Sequence, residues 1–152
     1  MKNYWLIKSE PTCYSIDDLK RDKKTAWGGV RNYQARNFMR DGMKVGDLVI
    51  FYHSSANPPS AVGVAKVASP SCADVTAMDP KDDHYDPKST RENPIWIQVD
   101  VEFVERFKNP VPISLIKSNP RLKGVPVAQT GSRLSIQPLL EKHFEEICRV
   151  GR

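Results

Sequence analysis

A chain of 152 residues with 39% hydrophobic and 27% charged residues has the size and make-up of one globular domain, which excludes a disordered tail or a fibrous repeat. No apolar run approaches the ~20 residues that a helix needs to cross a bilayer, so no membrane role is expected. Net charge is +5, and the three cysteines, Cys13, Cys72 and Cys148, show no CxxC spacing, so reduced thiols and a cytoplasmic location (nuclear if eukaryotic) are expected.

The N-terminus has no basic region followed by an apolar block, so no secretory signal is expected. "YWLIKSEP" begins as a continuous apolar run and turns polar before Pro11, which predicts a buried strand opening onto a loop. "SIDDLKRD" predicts a short helix with Ser15 as N-cap and Ile16 and Leu19 on its apolar face. In "NYQARNFMRDG", Asn32 is placed to cap, Ala35, Phe38 and Met39 to face a core, and Gly42 to stop the helix. "GDLVIFYHSS" and "AVGVAKVAS" predict two strands joined by the turn "ANPPS". "IWIQVDVEFVERF" alternates, with Ile95, Ile97, Val99, Val101, Phe103 and Phe107 on one face and Gln98, Asp100, Glu102 and Arg106 on the other. "ISLIKSN" predicts a short helix. "QPLLEKHFEEIC" predicts the last one, with Pro138 near its first turn and Leu140, Phe144, Ile147 and Cys148 as its stripe. Strands dominate without regular βαβ alternation, so a strongly curved or closed sheet with short helices around its rim is expected, not a dinucleotide-binding α/β fold.

Charge is unevenly spread. Lys20 to Lys44 holds eight Lys/Arg against Asp22 and Asp41, a balance of +6, while Ser71 to Glu105 holds nine acids against Lys81, Lys88 and Arg91, a balance of −6. A local basic face suits a polyanion such as nucleic acid; a merely solvated surface is the alternative.

The chemistry of catalysis is thinly supplied. His53, His84 and His143 stand at no metal-ligand spacing, and "DPKDDHYDPKS" lacks the glycine and final Glu of a calcium loop, so no metal or cofactor is expected. Neither GxGxxG nor GxxxxGK[ST] occurs, and Ser54 beside His53 on a strand would point to the opposite face. No catalytic residue is therefore assigned. Binding residues are plentiful: Trp5, Trp27, Tyr33, Tyr52 and Trp96 supply flat rings, several beside amide or guanidinium groups, and such rings stack on bases while polar groups read base edges. Stacking is worth ~1–3 kcal/mol per base. Trp27, Tyr33 and Tyr52 are equally compatible with core packing.

"YWLIKSEP", "WGGVRNYQARNFMR", "GDLVIFYHSS", "YDPKS" and "GSRLSIQP" occur in the order seen in EVE-domain proteins, a branch of the PUA-like superfamily that this chain resembles from Tyr4 to beyond Pro138. The resemblance implies one domain over residues 1–152, of the α+β class: a PUA-like, curved mixed β-sheet or pseudo-barrel with short helices around it. It implies a non-catalytic module that recognises a modified base, a modified cytosine in DNA foremost, in a basic pocket, with nucleic acid as partner and a monomer as the expected state. An RNA-binding module for tRNA or rRNA is the alternative. A nuclease or hydrolase is a third reading, because the related ASCH domains suggest that enzymes arise on this scaffold; it would use Lys8, Glu10 or His53. Carried over to this sequence, the pocket takes Lys8, Ser9 and Glu10; Trp27, Gly29, Val30, Arg31 and Asn32; Tyr52, His53 and Ser54; and Arg133, Leu134 and Ser135. Trp27 would wall or stack, Glu10, Asn32 and Ser54 would meet the base edge, and Arg31, Arg36, Arg40 and Arg133 would neutralise phosphate or order the loops.

Overall fold

The computed structural model describes residues 2–131 and 133–152; Ser132 of the "GSRLSIQP" block lies outside them. Seven strands form one mixed sheet: β1 (Tyr4–Ser9), β2 (Lys24–Trp27), β3 (Leu48–His53), β4 (Ser60–Val67), β5 (Cys72–Ala73), β6 (Ile97–Pro112) and β7 (Ile136–Leu139). The order is β2-β6-β4-β3-β1-β7, with β5 also paired to β6. β1 runs parallel to β3, and every other pairing is antiparallel. The helices are α1 (Ile16–Asp22), α2 (Tyr33–Asn37), α3 (Ile113–Ser118) and α4 (Glu141–Gly151), with one π-type turn, Phe38–Gly42, directly after α2.

The helices cover both faces of the sheet rather than its rim, and each face has its own core. Strand alternation sorts the residues. Trp5, Ile7, Val49 and Phe51 point to a front face, where they meet Ile16 and Leu19 of α1, Ala35 of α2 and Met39. Leu6, Ile50 and Tyr52 point to the back, where they meet Ile116 of α3 and Phe144, Ile147 and Cys148 of α4. β3 and β4 are thus buried on both sides, which is why their sequences read as continuous apolar runs. β6, near the edge, keeps its alternation over Ile97 to Val101.

The path is open, but the sheet curls: Trp27 on β2 reaches Phe51 on β3 past the two strands between them, with ring centres 5.6 Å apart. Bulges supply the bend. The β4/β6 register shifts between Ala61 and Gly63 and again between Val64 and Ala65. Gly63 sits at the first shift because a Cβ there would collide with the Glu105 carbonyl and the Ile16 side chain. A buried aspartate closes one corner. Asp47 accepts from Trp5 Nε1 at 3.0 Å, Lys44 N at 3.0 Å and Asn3 N at 3.1 Å.

Local signals set the helix starts. Ser15 and Asp18 form a reciprocal capping box on α1, and Asn32 accepts from Ala35 N on α2. The last helix departs from the expectation. Pro138 lies in β7, where its missing N–H is tolerated on an edge strand, and Leu140 is the N-cap and is exposed. Strand β2 had no signature of its own; it forms by pairing Lys24–Trp27 with Val99–Glu102.

Candidate functional site

All four segments expected to form a pocket send residues to one region of the fold. Parallel pairing sets Lys8 beside Tyr52 and Ser9 beside His53. Ser54 N donates to Ser9 O at 3.0 Å, and Lys8 N donates to Ser135 O at 2.9 Å, which brings in the 133–135 loop. Trp27 enters at the end of β2: its ring stands edge-on to Phe51 at 5.6 Å and to Tyr14 at 6.0 Å. Ser9, buried, donates through Oγ to the Tyr14 carbonyl. Ser9, Tyr14, Trp27, Phe51 and His53 are therefore one connected front-face cluster. Glu10 is exposed just beyond it, where its carboxylate takes a weak Cys13 Sγ contact at 3.6 Å, and Arg133 is also exposed.

His53 caps a helix. Its Nε2 accepts the backbone N–H of Ile16 at 3.1 Å, which fixes the neutral tautomer with the proton on Nδ1. Burial first, then Arg106, lowers its pKa from the ordinary histidine value, against an upward pull from Asp17. Burial and a hydrogen bond to Asp22 push the Tyr14 hydroxyl up to about 12. His53 also lines a cavity of about 290 Å³ with Ala56, Pro58, Ser60, Val62 and Pro112.

Several expected pocket residues are elsewhere. Tyr52 is 4% exposed and belongs to the back core, so it cannot share a front pocket with Trp27 and His53. A strand period of two puts it, and Lys8 in register with it, on the opposite face. Burial lowers the Lys8 pKa from its ordinary value. Val30 is buried in the front core, and the Asn32 side-chain oxygen is occupied at the start of α2.

Arg31 is committed to the fold. Its guanidinium donates to Asp74 Oδ2 at 3.0 Å, to Val30 O at 2.9 Å and to His84 O at 2.6 Å, and lies 5.2 Å from the Trp96 ring centre. Of the two roles expected for it, ordering a loop is the one these contacts serve. Gly29 N donates to Asp74 Oδ2 at 2.7 Å. A Cβ on Gly28 would fall 2.7 Å from Asp74 Oδ1, and Gly29 has φ +76 with His84 Nε2 at 3.0 Å from its would-be Cβ. The paired glycines thus admit the side chains of the acidic segment rather than open space. Asp74 has a fully buried side chain and also accepts from Thr76 N at 2.9 Å and Thr76 Oγ1 at 2.7 Å. Burial pushes its carboxyl up, but the bonds from Thr76, Gly29 and Arg31 outweigh that and hold it below the ordinary value.

Arg36 donates to Ile95 O at 2.9 Å and covers Tyr33, whose ring lies 4.9 Å from Trp96. Arg40 is exposed and pairs with Asp41. The basic and acidic stretches are accordingly neighbours: the +6 block is held by the −6 block. Sequence reasoning missed Asp74, and it noted Trp96 as a flat ring and His84 as a histidine without joining either to Arg31, since nothing in a sequence pairs position 31 with position 74. Among the described residues no group of three His, Cys, Asp or Glu could hold a metal ion, and no helix is long and apolar enough to cross a membrane.

Residues 3–150 match the EVE domain family. Thymocyte nuclear protein 1 of Gallus gallus is 42% identical over 160 residues, covering 93% of this chain and 66% of the relative, so this chain spans about two thirds of that protein's length. A crystal structure of a Pseudomonas syringae protein is 42% identical, with a TM-score of 0.92 over 98% of this chain and 99% of that one. The crystal structure of human THYN1 protein in complex with 5-methylcytosine-containing DNA is 38% identical, with a TM-score of 0.90 over 99% and 98% of the two chains.

Proposed function

The chain belongs to the EVE domain family, and on that premise we propose that it is a single-domain, non-catalytic DNA-binding module that reads a modified cytosine. The observation that carries this reading is the likeness, over nearly the whole of both chains, to the human protein crystallised with 5-methylcytosine-containing DNA. The convergence of the β1, β2 and β3 ends at Trp27 supports it, because a base needs a flat wall beside polar groups.

In this reading Trp27 walls the base. Glu10, Ser54 and the Nδ1–H of His53 are the groups left to meet its edge, since His53 Nε2 is already bonded to Ile16. Arg133 and Arg40, both exposed, meet phosphates. Arg31 and Asp74 keep the Trp27–Asn32 strap in place without touching the ligand. A hydrolase would need a general base within reach of its substrate. His53 serves that role poorly, because its acceptor nitrogen is spent on a backbone N–H.

The test is binding of matched oligonucleotides with cytosine or 5-methylcytosine, by fluorescence anisotropy at fixed salt. One buried methyl in a snug apolar pocket is worth ~1–3 kcal/mol, so at least several-fold preference for the methylated strand is expected. Equal, weak and salt-insensitive binding to both would sink the proposal. An RNA competitor that displaces the methylated DNA at lower concentration would transfer the reading to RNA.

A further inference from the structure

A second charged surface lies on the back of the sheet, away from the Trp27 cluster. The turn at Pro120–Leu122 and helix α4 enclose a groove of about 630 Å³, lined by Arg121, Lys123, Lys142 and Arg149 with Glu145 and Glu146. A neighbouring groove of about 430 Å³ shares Pro120 and Lys123 and adds Lys117. Five cations thus stand against two carboxylates along one continuous surface.

One of the two carboxylates is already consumed. Glu146, with a side chain 6% exposed, accepts both arms of Arg149 at 2.8 Å and Asn119 Nδ2 at 2.7 Å. These bonds hold its carboxyl down to about 2, so it stays ionised and keeps Arg149 and the 119–122 turn fixed. Arg121 approaches Glu146 only to 4.0 Å and is largely exposed. Lys123 and Lys142 are exposed on either side. Glu146 and Arg149 thus neutralise each other on the groove floor, while Arg121, Lys123 and Lys142 project charge into it. Cations gathered around a concave surface favour an anion with several oxygens, and phosphate is the one the chain's reading supplies.

We propose that the groove between the 120–122 turn and α4 is a second phosphate-binding site, which takes the sugar-phosphate backbone of nucleic acid without reading its bases. This rests on the chain's being a nucleic-acid binder but not on its preference for methylcytosine. Backbone contacts position and add affinity, while base contacts discriminate. The two sites therefore separate in experiment.

The test compares the whole chain with Arg121→Ala/Lys123→Ala/Lys142→Ala, leaving Arg149 so that Glu146 keeps its partner. The control is Lys81→Ala/Lys88→Ala/Arg91→Ala, which removes equal charge from the acidic segment. Affinity for a duplex of ~20 base pairs, methylated or not, is measured across salt concentrations. The groove variant should lose at least about tenfold at ~0.1 M salt, equally for both duplexes, and its salt slope should fall by about 2–3. Its methylation preference should stay at the wild-type ratio, whereas Trp27→Ala lowers that ratio. Wild-type affinity and slope in the groove variant would overturn the site, as would an equal loss in the control. In a second arm inorganic phosphate is added to melts of both proteins; a phosphate-induced rise in melting temperature that the groove variant loses while keeping wild-type DNA affinity assigns the groove to free anions and overturns the nucleic-acid assignment. Failure of the wild type to bind either duplex overturns the functional reading as well.

Discussion

Replacing Asp74 by alanine tests whether the contact between the acidic and basic segments is structural. The buried carboxylate receives four hydrogen bonds, from Gly29 N, Thr76 N, Thr76 Oγ1 and Arg31 Nη1. Truncation leaves two backbone N–H groups without their acceptor, at ~1 kcal/mol or more each. It also breaks the ion pair with Arg31, whose side chain is 25% exposed and so partly rescued by water. A buried pair broken on one side costs ~3–5 kcal/mol, and the remaining Arg31 bonds to Val30 O and His84 O keep the total near the lower end of that range. At ~2–4 °C per kcal/mol for a domain of this size, the melting temperature should fall by roughly 6–15 °C. Circular dichroism melts and urea titrations measure it. Asp74→Asn, which keeps one carbonyl acceptor, should fall by less. A loss under ~1 kcal/mol for Asp74→Ala would refute the argument that this carboxylate organises the strap. An equal loss for the Asn and Ala variants would show that charge, not acceptor geometry, carries the effect.

Trp27→Ala should cost about 2–3 kcal/mol, below the ~3–5 kcal/mol of a fully buried aromatic because its ring packs on the front core while staying partly open to solvent, and should lower the methylcytosine preference; complete unfolding in the absence of denaturant would assign the ring to the core alone. Gly29→Ala should cost ~1–2 kcal/mol, from the left-handed φ of +76 and the His84 ring 3.0 Å from the new methyl, and denaturant midpoints measure it. The folded-state pKa of His53 lies below its unfolded value, so its share of stability is full above pH ~6.5 and is lost as pH falls through the lowered value. The drop in unfolding free energy between pH 7 and 5 should therefore be smaller in His53→Gln than in the wild type, and identical pH profiles would show that the Ile16 cap does not depend on the neutral ring.

Much of the fold is legible in particular residues. Ser15 and Asn32 cap where a short polar side chain precedes an apolar face, because capping is a contact over three residues. The runs in β1, β3 and β4 and the alternation in β6 announce their burial, because a strand's environment is written in its period. Strand β2 was not legible: Lys24–Trp27 is too short to show a period, and its pairing with β6 supplies the strand. The start of α4 was misplaced because Pro138 suits a helix's first turn and an edge strand equally.

For the candidate site, the resemblance to EVE-domain proteins named the segments in the sequence: ordered blocks with a tryptophan and arginines around a glycine pair. Period two already separates Tyr52 from His53, but only the tertiary structure, through the packing of the sheet, sets which of them faces Trp27. It turned Tyr52 to the back core and left His53 on the front, since adjacent residues of one strand point in opposite directions. It spent Arg31 on Asp74 and His84, and it made the glycine pair a seat for those two side chains. It also set Arg121 and Lys123 across from Lys142, a groove spread over residues 117 to 149. Strand periods and caps are short-range properties that neighbouring residues encode. Convergence of residues 31 with 74, or 121 with 142, depends on how the strands pair and the helices pack, and no local pattern in the chain carries that information.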